Sequence, residues 1–292
     1  MMIATVGPCL PVDLLAASGH FAGPLAWRLD RPTPRADTWL ESRFPRWARS
    51  ILEDWADGRY DDHDAVVFSR GEDVAQRLYY YICELQRRGI VGGPRAVIFD
   101  VAKIPRDTSE AHTIAAVRSL AAELGLDETA LAQGIAATNE RRLQAVAAPE
   151  APTCLLPGTP PPQGLLHQAV QDAGFTPIGH TLSESWADPG PVVDAEGDAA
   201  TAIGRQVHAR RNEWRGFGDA ARQTVELAAA VHAAAAILWY TEEDEAGIWQ
   251  LPHIRAALAE AGVPTLVMTR RDERGSDGAP GEIQAFLQGL SS

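Results

Sequence analysis

Cysteine is scarce. The chain has 292 residues and three cysteines, Cys9, Cys83 and Cys154, with no C-x-x-C or C-x-x-H pair among them. An odd, scattered set argues against a disulfide framework and for a reducing compartment, so a cytoplasmic location is expected. Positive charge is also short: 26 Lys and Arg stand against 39 Asp and Glu, a net charge of −13. Nucleic acid and anionic membrane surfaces need a basic footprint, so neither is expected as the main partner. A small anion held in a local basic pocket stays open. No apolar run approaches the ~18 residues of a membrane-spanning helix. No opening segment has the basic-then-apolar pattern of a signal peptide, so export is not expected. A glycine-rich phosphate loop is missing as well. Gly89–Gly93 reads as a helix stop and turn, and Gly158-Thr-Pro-Pro-Pro162 does not lead into a nucleotide-type helix.

What is present is an alternation of apolar strands and amphipathic helices. Pro11–Gly19 reads as a short helix opened after Pro11 and closed by Gly19. Ala22–Asp30 is a weak strand candidate followed by a Pro-rich turn. Arg46–Ala56 carries Trp47, Ile51, Leu52 and Trp55 at helical spacing and ends at Asp57-Gly58. The apolar run Ala65–Phe68 then meets Ser69-Arg-Gly-Glu-Asp73, and a helical pattern continues from Glu72 to Arg88. That is a strand, a polar turn and a helix start, and ligands of open parallel sheets bind at such carboxyl edges. Arg95–Val101 is a further strand. Helices follow over 111–124 and from Asp127, the expected N-cap, through Asn139.

Ala147–Gly164 holds six prolines in eighteen residues, which places a domain boundary near residues 148 and 149. An N-terminal lobe, 1–148, and a C-terminal lobe, 149–292, are expected. In the second, helix 164–173, strand 175–179, a polar loop to 198 and helices near 199–212 and 219–235 precede the strand Ala236–Tyr240. A helix at 253–261, a strand at Thr265–Met268 and a helix at Gly281–Leu287 close the chain. Strand–helix alternation in both lobes predicts α/β architecture: two Rossmann- or flavodoxin-like lobes with parallel sheets flanked by helices and a cleft between them.

Several of these segments, taken in order, resemble the 2-hydroxyacyl-CoA dehydratase and benzoyl-CoA reductase family in its iron–sulfur (D-component) subunits. Pro11-Val-Asp-Leu-Leu-Ala-Ala-Ser-Gly19 is similar to that family's P-x-E-[IL]-[IL]-x-A-x-G start. Trp47–Leu52 followed by Gly58-Arg-Tyr-Asp-Asp-His-Asp-Ala-Val-Val-Phe68 is similar to its helix, G-x-Y-D and strand. Glu72-Asp-Val-Ala-Gln-Arg-Leu-Tyr79 matches C-D-x-x-x-R-L-Y with Glu72 in the cysteine's place. Phe99–Lys103, Asn139–Arg142, Trp249–Pro252, Gly262–Leu266 and Glu282–Leu287 fit later elements. The resemblance implies three cysteines around a [4Fe–4S] cluster, from the Pro45 region, the Glu72 position and the Asp244 region. None of the three is cysteine here. Thiolate ligation is the rule for such clusters, so the cluster is expected to be absent from this chain. Its other cofactors are open.

Two carboxylate groups then stand out. Glu72 and Asp73 open a helix at a sheet's carboxyl edge, either compensating the helix dipole or lining the cleft, with Glu72 as a candidate catalytic residue. Arg70 is a candidate anion contact, because a guanidinium fork suits phosphate and carboxylate; a solvated loop charge is the plainer reading. Glu242–Glu245 follows a second strand, with Trp239, Tyr240 and Trp249 as flanking aromatic surface. Four consecutive acids usually mean a solvated loop. As functional groups, Glu243 is a candidate acid or base, and Trp239, Asp244 and Trp249 candidate substrate contacts. If the two acidic groups converge, they hold a divalent cation, form an acid–base pair or do neither; no specific metal ligand is assigned. His20 and His180 are candidate general bases or metal ligands, although a lone histidine is more often structural.

Three functions are compatible with these residues. The first is a cluster-less partner subunit that binds an acyl thioester or small carboxylate beside a homologous cluster-bearing chain, as a heterodimer, or as a homodimer. The second is a stand-alone dehydratase-like lyase or hydratase using carboxylate or histidine chemistry. The third is a small-ligand-binding protein without activity.

Overall fold

The alternation predicted from the sequence begins earlier than its pattern suggests, at Ile3. A computed structural model of the chain describes residues 2–102, 104, 106–144, 151–194, 196–210 and 219–290. It divides into two compact units: Met1–Ala145 with Trp186–Gly218, and Val146–Ser185 with Asp219–Ser292. Each is built on a four-stranded, all-parallel sheet flanked by helices.

In the first unit β1 (Ile3–Val6), β2 (Phe21–Pro24), β3 (Ala65–Ser69) and β4 (Arg95–Phe99) lie in the order β2-β1-β3-β4. Parallel strands buried on both faces need continuous apolar runs. Ile3–Val6 and Ala65–Ser69 are buried at every position. One face is covered by α1 (Val12–Ala17), α5 (Ser109–Glu123), α6 (Glu128–Arg142) and α9 (Ala199–Ala209). Leu14, Leu15, Val117, Leu120, Ile135, Ile203 and Val207 close there over Ile3, Val67, Val97 and Phe99. Burying each such side chain contributes about 1.5–3 kcal/mol. On the other face, Phe68 meets Trp55 of α3 (Arg46–Ala56) and Tyr79 of α4 (Asp73–Arg87). A short α2 (Pro34–Trp39) precedes α3.

Chain order places 186–218 in the second lobe, but the segment belongs to the first unit. Arg142 is the reason. Its buried guanidinium grips both oxygens of buried Asp13, at 2.6 and 2.7 Å, and also donates to the carbonyls of Pro189 and Gly190. Asn139 brackets the Val193 backbone in both directions, and Glu128 accepts from the Ala199 N–H. Trp186, at the end of α8 (Leu182–Ala187), packs edge-on against Trp27 and Trp47. The boundary expected at 148 and 149 lies outside the described residues.

The second unit repeats the topology. β5 (Thr153–Leu155), β6 (Thr176–Ile178), β7 (Ala233–Thr241) and β8 (Thr265–Arg271) lie in the order β6-β5-β7-β8. One face packs on α7 (Leu165–Asp172) and α12 (Ala279–Leu290), the other on α10 (Ala220–Ala230) and α11 (Leu251–Glu260). No described helix is long and apolar enough to cross a membrane.

Candidate functional site

A sheet whose strand order reverses has a crevice outside the carboxyl ends of the two strands where the reversal occurs. In the first unit those strands are β1 and β3. The loop after β1 turns at Gly7, which has φ +95° and sits so close to β3 and α4 that an added Cβ would lie 2.8 Å from Ser69 Cβ. Cys9 follows, buried, at φ +57°, with Sγ directed at the Arg210 carbonyl. After β3, Ser69 Oγ accepts from the Gly71 N–H, and the chain enters α4 through Glu72.

Glu72 is 7% exposed and is the N-cap of α4. One carboxylate oxygen accepts from the Val74 N–H at 3.1 Å, the other from the Ala75 N–H at 2.6 Å. The side chain therefore satisfies helix amides that have no intrahelical partner. Asp73 is the exposed first residue of that helix, where its charge complements the dipole.

Beside Glu72 lies a polar trio that the sequence did not single out as a set. Arg70 extends the sheet by donating its backbone N–H to the Phe99 carbonyl at 3.0 Å. Its guanidinium then reaches Asp100, immediately after β4. The same carboxylate oxygen, Oδ2, lies 3.2 Å from Nε2 of His112, in the first turn of α5. Asp100 follows its strand directly, which is a legible signal. His112 is 12 positions further along the sequence, and only the crossover from β4 into α5 brings the pair together.

His20 does not join this group. It immediately precedes β2, and its carbonyl accepts from the Ile3 N–H. It thus stands at the amino edge of a parallel sheet whose carboxyl edge carries Glu72. A histidine closing a short helix gives no sign in sequence of which edge it will occupy.

In the second unit the reversal lies between β5 and β7. Gly158, at φ +114°, approaches the Trp239 backbone so closely that a Cβ would sit 2.2 Å from its carbonyl oxygen. Thr159 donates to Asp244 Oδ2 at 2.7 Å, and Asp244 Oδ1 accepts from the Gly247 N–H at 2.8 Å. Asp244 thereby ties the loops after the two central strands together. Glu243 is half-buried, with Oε2 inaccessible and lacking a hydrogen-bond partner among the described residues. Glu242 and Glu245 are exposed. His180 is exposed two positions beyond β6.

The aromatic residues expected around this loop separate. Trp239 is 2% exposed and faces α7 and α12, where it packs in the core with Leu166, Val170 and Ile283. Tyr240 points to the opposite sheet face, against Ile254 and Leu258. Burial, with the Asp244 charge adding to it, pushes the Tyr240 phenol up to about 12. Successive strand residues alternate between faces, and here helices cover both. Trp249 is 80% exposed, in a 3-10 turn, Gly247–Gln250. Trp239 is thus a core residue rather than a substrate contact.

The donors present do not fit a [4Fe–4S] cluster. Pro45 is the residue before α3 and offers no side-chain ligand. The Glu72 carboxylate is engaged by two amides, and Asp244 by Thr159 and Gly247. Cys154 is fully buried inside β5, where burial pushes its thiol up to about 12. Among the described residues, no group of three His, Cys, Asp or Glu side chains is arranged to hold a metal ion. Neither a family model nor a characterised protein matches the sequence.

Proposed function

We propose that this chain is a cytoplasmic, cluster-less protein of the 2-hydroxyacyl-CoA dehydratase type. It binds an acyl thioester at the carboxyl edge of its first sheet, beside a homologous chain that carries the cluster. The observation that carries this reading is Glu72. It occupies the position of the family's ligating cysteine and commits both carboxylate oxygens to the Val74 and Ala75 amides. A redox ligand has become a helix cap, and the edge keeps its backbone form without its metal chemistry. Two doubly wound units of the same strand order are compatible with the ordered motifs that suggest the family. Arg70, half-exposed at that edge, supplies a cation suited to a thioester's phosphate or carboxylate groups.

The test is purification of the chain alone and together with a cluster-bearing homologue. The reading expects no iron or acid-labile sulfide in the chain alone, co-purification with the homologue, and acyl-CoA binding weakened by Arg70→Ala. Stoichiometric iron and sulfide in the chain alone would end the cluster-less reading. A chain that binds no acyl-CoA, alone or with the homologue, would end the thioester reading.

A further inference from the structure

The geometry points to the outer edge of β4 as a docking surface for a second copy of this chain, paired strand to strand across a two-fold axis. β4 ends the order β2-β1-β3-β4, and among the described residues no strand lies on its far side. Arg95 donates its N–H inward to the Asp64 carbonyl, and the Phe99 carbonyl accepts from the Arg70 N–H. Residues bonded to one side alternate along a parallel strand, so Ala96 and Ile98 turn their N–H and C=O groups outward. Neither has a backbone partner on that side among the described residues. An open edge of this kind is a template for a further strand.

The other sheet edges are guarded. β2 closes with Gly23-Pro24, and β6 carries Pro177, which has no N–H to offer. β8 ends at Arg270, in the left-handed region at φ +56°, and Arg271. β4 has no proline and no left-handed residue. Its one charge, Arg95, is drawn onto Glu123 of α5.

The strand is its own complement. With the axis at Val97, Ala96 of each copy lies opposite Ile98 of the other, and each such pair exchanges two N–H···O=C bonds. Every outward group of Ala96 and Ile98 is then met. Arg95 comes opposite Phe99 and one position from Asp100 of the second copy, so the basic start of each strand meets the acidic finish of the other. Tyr80 of α4, 54% exposed, packs on Tyr79, which packs on Phe68 of β3. Burial pushes the Tyr79 phenol up to about 12, with Cys83, Tyr80 and the charge of Glu123 adding to it. Glu123 is the partner of Arg95, so the tyrosine pair borders the start of β4. Exposed tyrosines are favoured interface anchors. Two four-stranded sheets joined in this way end on their β2 strands, where Pro24 stops further addition. The contact therefore closes as a dimer instead of growing.

This inference does not depend on the acyl-thioester reading, and failure to bind acyl-CoA leaves it untouched. Sedimentation equilibrium of the purified chain tests it. The wild type is expected at twice the mass of one chain at micromolar concentration. Ala96→Pro removes an outward N–H, and Tyr80→Asp replaces an exposed anchor with a charge. Each should weaken the dimer about 10-fold or more, with an unchanged circular-dichroism spectrum. Val97→Cys should form an intermolecular disulfide on mild oxidation, against a wild-type control, because opposed residues of antiparallel strands bring their Cβ atoms to about 4.5–5.5 Å. If Ala96→Pro misfolds, Tyr80→Asp and the Val97→Cys cross-link decide. A chain that is monomeric alone, even one that joins a cluster-bearing homologue through this edge, would overturn the inference. So would a dimer that survives both substitutions with its affinity intact and gives no cross-link.

Discussion

Glu72 shows how one side chain changes meaning between sequence and space. Beside a family motif it reads as a replaced ligand, and in the fold it is a cap with both oxygens in use. Glu72→Ala should therefore cost about 1 kcal/mol, the usual value of a lost N-cap, seen as a lower urea midpoint with an unchanged slope. Glu72→Gln keeps one acceptor and should lose less. The cysteines divide by burial in the same way. Cys83 is half-buried on α4, whereas Cys9 and Cys154 are 2% and 0% exposed. A thiol reagent should label Cys83 in the native protein and reach Cys9 and Cys154 only on unfolding. Rapid native labelling of Cys154 would contradict its raised pKa and its place inside β5. The Trp239 reading failed for a physical reason: an aromatic at a strand end marks a pocket only if that sheet face is uncovered.

Elements of strong pattern were legible. Arg46–Ala56 is a helix over the residues that its spacing indicates, and Asp127 caps α6 through the Ala130 N–H. Short elements were not. β1 has four residues and opens the chain without a turn signal before it, yet it is a central strand of its sheet. α2 begins at Pro34 in a stretch that reads as a turn, and Glu53 stabilises it by accepting from the Arg35 and Ala36 amides. The alanine run before β7 suits a helix to residue 235, but the strand claims it from Ala233 because sheet pairing begins there. Between elements the Arg142–Asp13 pair is the most consequential contact. Replacing Arg142 by Met leaves a buried carboxylate without its main partner and should cost about 3–5 kcal/mol, with the double replacement Asp13→Leu, Arg142→Met costing less than the single one. Urea unfolding of the three variants checks this.

For the molecule as a whole, alternation of strand and helix was enough to predict α/β architecture with parallel sheets, and both sheets have that form. The discontinuity of the first unit was hidden, because Pro189–Val193 meets Asn139 and Arg142 through backbone carbonyls and an amide that carry no sequence signature. A fragment ending at residue 148 lacks α9 and the residues that close the core over α5 and α6. It should lose cooperative unfolding and NMR dispersion, while a fragment that includes residues 186–218 retains them. A second global property follows from the tyrosines. Burial pushes Tyr60 and Tyr240 from 10.0 up to about 12. A group whose pKa is raised by folding contributes stability below its unfolded pKa and loses it as pH rises through the folded value. Stability should fall between pH 10 and 12, and an absorbance titration should show these phenols ionising late.

The return of residues 186–218 to the first unit also sets a timetable for biosynthesis. Residues 146–185, forty in all, separate its two pieces and α9 ends only at Ala209, so at about 5–20 residues per second the ribosome needs several seconds to deliver the missing helix. During that interval the nascent α5 and α6 carry uncovered apolar side chains, and a chaperone that shields them has a defined window in which to act.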